Sequence, residues 1–201
     1  MTPTELLELW KKKSALHSEY VYDRDTTASK VVNNLGLYMD TQYDNSNGEN
    51  TLYVTFRGTE FESSKDWYTN LRYGKDQFNE SYGDISSALT SALSGKSNVN
   101  VVFTGHSLGG MLAQRAASAF AGTVNSHGNG KVTLITYDAP PISSDISLTV
   151  GTIHEAIHYY VEGSLVPMLG GGPYVSGQET SIDLKKTSKL KAHFYNLKLE
   201  L

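Results

Sequence analysis

The chain has 201 residues, with 17 Lys and Arg against 21 Asp and Glu, a net charge of −4 and no cysteine. A chain of this length can bury roughly 70% of the surface its unfolded form exposes, so residues 1–201 are read as a single domain. The missing thiols exclude a Cys nucleophile, a zinc-thiolate site and a redox pair, and the mildly acidic balance argues against a nucleic-acid binder. The basic runs, Lys11-Lys12-Lys13 and Lys185-Lys186, are too short to cover a phosphate backbone and read as solvated faces.

In chain order, Thr2-Pro3-Thr4-Glu5 reads as a helix start, with Thr2 as N-cap, Pro3 at the first helical position and Glu5 reaching back. Leu6, Leu7, Leu9 and Trp10 supply the apolar face of that helix. The charges at Glu5, Glu8 and Lys11 to Lys13 interrupt any run a signal peptide would need, and no stretch of 18 apolar residues suggests a membrane span. The expectation for localisation is a cytoplasmic protein, leaderless export, or a secreted domain whose leader has been removed. Leu35 to Met39 and Thr51 to Phe56 are β-rich and should pair as a hairpin across the polar loop Asp40 to Asn50. Ile85, Ala88, Leu89, Ala92 and Leu93 recur at helical spacing up to Gly95. Val99 to Phe103 reads as a strand buried on both faces, Met111 to Phe120 as a helix, Val132 to Tyr137 as a second buried strand and Ile157 to Val161 as a third. Alternation of apolar strands with helices predicts an α/β fold, a mostly parallel central sheet with helices on both faces, entered through an antiparallel hairpin.

The sharpest chemical signal is Gly105-His106-Ser107-Leu108-Gly109, a G-x-S-x-G motif between the strand ending at Phe103 and the helix from Met111. On such an elbow the serine backbone is strained and small residues are needed where a Cβ would collide with neighbouring backbone. The turn lifts the Ser107 hydroxyl above the sheet, and the N-terminus of the next helix brings the Leu108 N–H to the reacting centre as an oxyanion donor. The plainer alternative is a Gly-rich turn whose serine caps a helix, and the strand before and Ala-rich helix after weigh against it.

Val102 to Gly110 (VFTGHSLGG), Val54 to Thr59 (VTFRGT) and Asp66 to Leu71 (DWYTNL) together resemble the class 3 (fungal-type) lipase family of α/β-hydrolases, over roughly Leu35 to Leu197. The resemblance implies that Thr59, in the FRGT segment, supplies the second oxyanion donor, and that Glu60 to Tyr73 corresponds to a lid. That segment carries Phe61, Trp67, Tyr68 and Tyr73 among charges, and core packing is the competing role for these aromatics.

A serine nucleophile needs a base, and the fold's order of serine, acid, histidine leaves His127, His154, His158 and His193 downstream. His127 sits in a turn cluster and His154 and His158 flank or enter a strand, where a packed or surface role is commoner. His193 matches the terminal histidine of the resembled family. His106, beside the nucleophile, points the wrong way for a base and should pack beneath the turn. The acid departs from the family pattern: where that pattern has D-x-V-P, this chain reads Ser164-Leu165-Val166-Pro167. Two carboxylates are plausible replacements. Asp138 ends the strand after the nucleophile strand, at the sheet edge where sites form, although Asp also commonly caps such a bend. Glu162 lies two residues before Ser164 with one more methylene of reach, its alternative role being a solvated charge.

The combined reading is a serine ester hydrolase, lipase- or phospholipase-like, acting through an acyl-enzyme on Ser107 with His193 as base, Asp138 or Glu162 as acid and Thr59 with Leu108 as oxyanion hole. No cofactor and no metal is implied. The partners expected are a lipid or small acyl-ester substrate and transient contact with a lipid surface, without nucleic acid. Two alternatives stay open: a short-chain esterase or thioesterase, since the lid is short, and a lipase-like binding module that lost turnover with its aspartate.

Overall fold

The computed structural model describes residues 1–21, 29–33, 36–58, 67–127, 130–142, 151–162, 164, 166, 174–175 and 178–182. The elements run α1 (Pro3–Tyr20), β1 (Ser29–Val32), β2 (Tyr38–Asp44), β3 (Thr51–Phe56), α2 (Trp67–Glu80), α3 (Tyr82–Leu93), β4 (Asn100–His106), α4 (Leu108–Ser126), β5 (Val132–Tyr137), β6 (Glu155–Val161) and β7 (Gln178–Ile182). The strands form one sheet in the order β1-β2-β3-β4-β5-β6-β7. β1 to β3 pair antiparallel, and every pairing from β3 to β7 is parallel. This is the α/β arrangement the alternating elements predict, with the hairpin at one side.

The start of α1 follows its sequence. Thr2 Oγ1 accepts from the Glu5 N–H at 3.2 Å while Glu5 Oε2 accepts from the Thr2 N–H at 2.8 Å, a reciprocal cap, with Pro3 in the first turn. The helix packs on one face of the sheet. Strand periodicity explains the two cores, because successive side chains alternate between faces. Leu52, Val54, Phe56, Val101, Phe103, Val132 and Leu134 face the cluster that includes Leu89, Leu93, Leu112 and Phe120 of α3 and α4. Tyr53, Val102, Ile135, Tyr137, Ile157 and Tyr159 face the opposite side, with Trp10 and Ala15 of α1. Burial on both faces accounts for the near-continuous apolar runs of β4 and β5.

Several elements differ from expectation. The hairpin loop is only Asn45 to Asn50, because Asp40 to Asp44 continue β2 and pair with Thr51 to Thr55. Their polar side chains resemble a loop, but the ladder with β3 engages all five, β1 pairs with Asp40 and Thr41 from the other side, and those two are buried. α4 extends through Ser126, into the expected turn cluster. β1 and β7, at the two edges, have no counterpart in the sequence reading: β1 is four residues long and β7 (QETSI) is largely polar.

Candidate active site

Parallel strands point their C-terminal ends the same way, so β4, β5 and β6 deliver Ser107, Asp138 and the 161–164 turn to one edge of the sheet. Ser107 has φ 57 and ψ −129, a region that non-glycine residues rarely occupy and that costs about 1–3 kcal/mol. Its surroundings overdetermine it. The Ser107 N–H donates to the Tyr137 carbonyl at 3.0 Å, and its carbonyl accepts from Gly110 N–H at 2.9 Å and Met111 N–H at 3.3 Å.

The two flanking glycines are required by contact distance. A Cβ on Gly105 would stand 2.4 Å from the Gly109 carbonyl carbon, and one on Gly109 would stand 2.1 Å from the Phe56 carbonyl oxygen. Helix α4 therefore starts in backbone contact with the end of β3, where Arg57 and Gly58 lead toward Thr59. Ser107 and Leu108 are both buried, and Leu108 packs with Met111 and Ile142. A charge developing here is poorly screened by water, which strengthens any hydrogen bond from the α4 N-terminus to an oxyanion.

Asp138 follows Ser107 in register, since His106 pairs with Tyr137 at the end of the β4–β5 ladder. Its backbone also takes a positive φ, 42. The Asp138 N–H donates to the Tyr159 carbonyl at 2.7 Å, and two residues on, the Val161 N–H donates to Asp138 Oδ1 at 3.2 Å. The carboxylate thus substitutes for a ladder carbonyl at the end of β5. Ser164 Oγ donates to Oδ2 at 2.8 Å. Asp138 is 3% exposed, and these contacts tie both oxygens of its carboxylate to the end of β6 and the segment that follows it. Glu162 is exposed in the turn after β6.

The remaining histidines separate clearly. His158 is fully buried, with Nδ1 2.7 Å from Thr136 Oγ1, Nε2 2.9 Å from the Val175 carbonyl and its ring stacked on Tyr174. Burial, opposed by the Val175 contact, holds it down at about 4, so it stays neutral and structural. His154 Nδ1 accepts from the Val132 N–H at 3.1 Å, and His127 caps α4 with Nε2 2.9 Å from the Leu93 carbonyl. His106 is buried beneath the elbow at the end of β4. His193, Thr59 and Phe61 lie outside the described residues, as does the expected lid before Trp67. The backbone of α2 begins at Trp67, so the second half of the expected lid is helical.

Two residues at this edge take roles that the sequence alone does not assign. Gln114, fully buried on α4, donates from Nε2 to the Pro140 carbonyl at 3.0 Å and the Gly110 carbonyl at 3.3 Å, and its Oε1 accepts from the Val175 N–H at 3.4 Å. It braces the loop after Asp138 against the elbow helix. A glutamine seven residues after Ser107, in an otherwise Ala-rich helix, is the available clue. Ser164 is the other, legible only as a substitution and not as a hydrogen-bond donor to Asp138.

A family model of the Tle-like phospholipase domain matches residues 13–191. Among solved structures, a triacylglycerol lipase from Penicillium expansum aligns with a TM-score of 0.66 at 14% identity, covering 86% of this chain and 78% of that one. The triacylglyceride lipase of Rhizomucor miehei gives 0.62 at 18% identity over 90% and 82% of the two chains. A lipase from Rhizopus microsporus var. chinensis gives 0.63 at 16% over 94% and 77%. No curated protein sequence matches the chain. At these identities the structural likeness speaks for the fold, which is the α/β-hydrolase fold expected from the elbow. The family match spans the elbow, Asp138 and Ser164, and the chain belongs to the Tle-like phospholipase domain family.

Proposed function

We propose that the protein hydrolyses a carboxylic ester of a phospholipid or acylglycerol through an acyl-enzyme on Ser107. The observation that carries this reading is the strained backbone of Ser107 between β4 and α4. A turn that costs free energy persists where the surrounding packing enforces it, and here it presents a hydroxyl beside a helix N-terminus. Ser107 Oγ attacks the ester carbonyl while His193 takes its proton. The oxyanion is held by the backbone N–H of Leu108 and by Thr59. Collapse breaks the C–O bond, and His193 returns the proton to the departing alcohol. Water, deprotonated by the same histidine, then cleaves the acyl-enzyme and regenerates Ser107. Asp138 is the acid that orients the imidazole and stabilises its protonated form. In favour of Asp138 over Glu162 are its burial, its position in register beside Ser107 and its two hydrogen-bonded carboxylate oxygens.

The test is hydrolysis of p-nitrophenyl esters of increasing chain length and of a phosphatidylcholine, by the wild type and Ser107→Ala, with fluorophosphonate labelling in parallel. Activity and labelling that vanish together in Ser107→Ala are the expected result. Activity confined to the shortest esters would make the protein a short-chain esterase. A wild type that neither labels nor turns over would leave the binding-module reading in its place.

A further inference from the structure

Ser164 does more than leave a carboxylate out of its own position. Its Oγ donates to Asp138 Oδ2 at 2.8 Å and accepts from the Val166 N–H at 3.2 Å. The single hydroxyl proton and a lone pair are both engaged, so the direction of the donor is fixed. The same turn grips the other oxygen: the Val161 N–H reaches Asp138 Oδ1 at 3.2 Å, and the Ser164 N–H closes back on the Val161 carbonyl at 2.9 Å. The end of β6 and the residues just after it therefore hold both oxygens of a carboxylate that follows directly on β5. A carboxylate with one oxygen tied has a free torsion, whereas one tied at both has its plane set.

We propose that Ser164 is the positioning residue for the acid, and that positions 138 and 164 are two seats for a single carboxylate serving His193. The proposal rests on the reading of Asp138 as the acid. Because Ser164 Oγ and Asp138 Oδ2 are 2.8 Å apart, a carboxylate carried at 164 brings an oxygen to nearly the place that Asp138 now fills. There is room for one charge there and not two, since neighbouring carboxylates at such a distance share a proton. The hydroxyl at 164 completes the arrangement: it supplies a donor where a second acid would repel.

The experiment measures kcat and KM on p-nitrophenyl butyrate, and the rate of fluorophosphonate labelling, for Ser164→Ala, Ser164→Thr, Asp138→Asn and Asp138→Asn/Ser164→Asp, with circular dichroism melts to verify folding. Ser164→Ala should lower kcat by about 10- to 10²-fold with KM changed less than about twofold, since it loosens a reacting group and not substrate binding. Ser164→Thr, which keeps the hydroxyl, should recover most of that loss. The double variant should exceed Asp138→Asn by at least about tenfold, because it restores the counter-charge from the other seat. Wild-type kcat in Ser164→Ala, or a folded Ser164→Thr as impaired as the alanine variant, overturns the positioning role. If Ser164→Ala does not fold, the double variant decides, and no gain over Asp138→Asn overturns the proposal. Undiminished kcat in Asp138→Asn is a different failure, that of Asp138 as the acid.

Discussion

Gly109 lies between the start of α4 and the end of β3, and Gly109→Ala tests how closely the two must approach. The new Cβ would stand 2.1 Å from the Phe56 carbonyl oxygen and 2.8 Å from both the Arg57 carbonyl carbon and the Gly58 nitrogen. Ordinary contact begins at 3.4 Å, so the tightest of these falls short by about 1.3 Å. All three atoms are backbone, and no change of rotamer can relieve them. The start of α4 and the end of β3 must part, at about 1–3 kcal/mol of stability. The same displacement moves the Leu108 N–H relative to Arg57 and Gly58, and a misplacement of about 1 Å in a reacting site lowers kcat by about 10²-fold. Kinetics on p-nitrophenyl butyrate with thermal unfolding of the same samples measures both losses. Gly83→Ala provides the control, because no atom lies within 4 Å of a Cβ there, in the first turn of α3. It should leave kcat unchanged and gain about 0.5 kcal/mol from a less flexible unfolded chain. Wild-type kcat and Tm in Gly109→Ala would refute the reasoning.

Two tyrosines should respond to loss of their hydroxyls with opposite sign. Tyr137→Phe removes contacts to Ser14 Oγ at 2.8 Å and the Lys11 carbonyl at 2.9 Å and should cost about 1–2 kcal/mol, read from urea midpoints. Tyr53→Phe removes a buried hydroxyl with no hydrogen-bond partner among the described residues and should be neutral or raise Tm; a clear drop would show that the oxygen is satisfied. His158 titrates at about 4 instead of 6.5 because of burial. Its depressed value means that the unfolded chain binds the proton first, so stability from the neutral ring is full above pH 6.5 and is lost as pH falls toward 4. The loss should reach about 2–3 kcal/mol by about pH 4.5. His158→Gln should reduce that slope by about half, because burial holds His17 at about 4 as well and leaves its share in place, and an equal slope in the variant would exclude His158 as a source. In the acid assignment, Glu162→Gln should be nearly silent while Asp138→Asn lowers kcat by about 10³- to 10⁴-fold, and an exchange of phenotypes would move the acid to Glu162.

Much of the fold is legible because its signals are local. The reciprocal cap at Thr2 and Glu5 needs only four residues, and the helical spacing from Ile85 to Leu93 reports one buried face. The apolar runs of β4 and β5 announce strands covered on both sides. Edges are harder. β7 is read from pairing with β6, and its residues carry too little apolar pattern to be distinguished from a loop. The polar half of β2 fails in the same way, since Asp40 to Asp44 are strand because β3 pairs with all five and β1 with Asp40 and Thr41.

The candidate site divides along the same line. The sequence by itself determined the elbow, because a strained serine between two small residues is a steric requirement written into five consecutive positions. Only the tertiary structure decided how the carboxylate at this edge is held. Asp138 and Ser164 are 26 residues apart and lie just past the ends of two neighbouring parallel strands, which come together at one edge only when β5 and β6 have paired. A missing aspartate in the sequence is an absence at one position. In the folded chain the same position is a hydroxyl 2.8 Å from a carboxylate, because a hydrogen bond depends on distance and direction in space and not on separation along the chain.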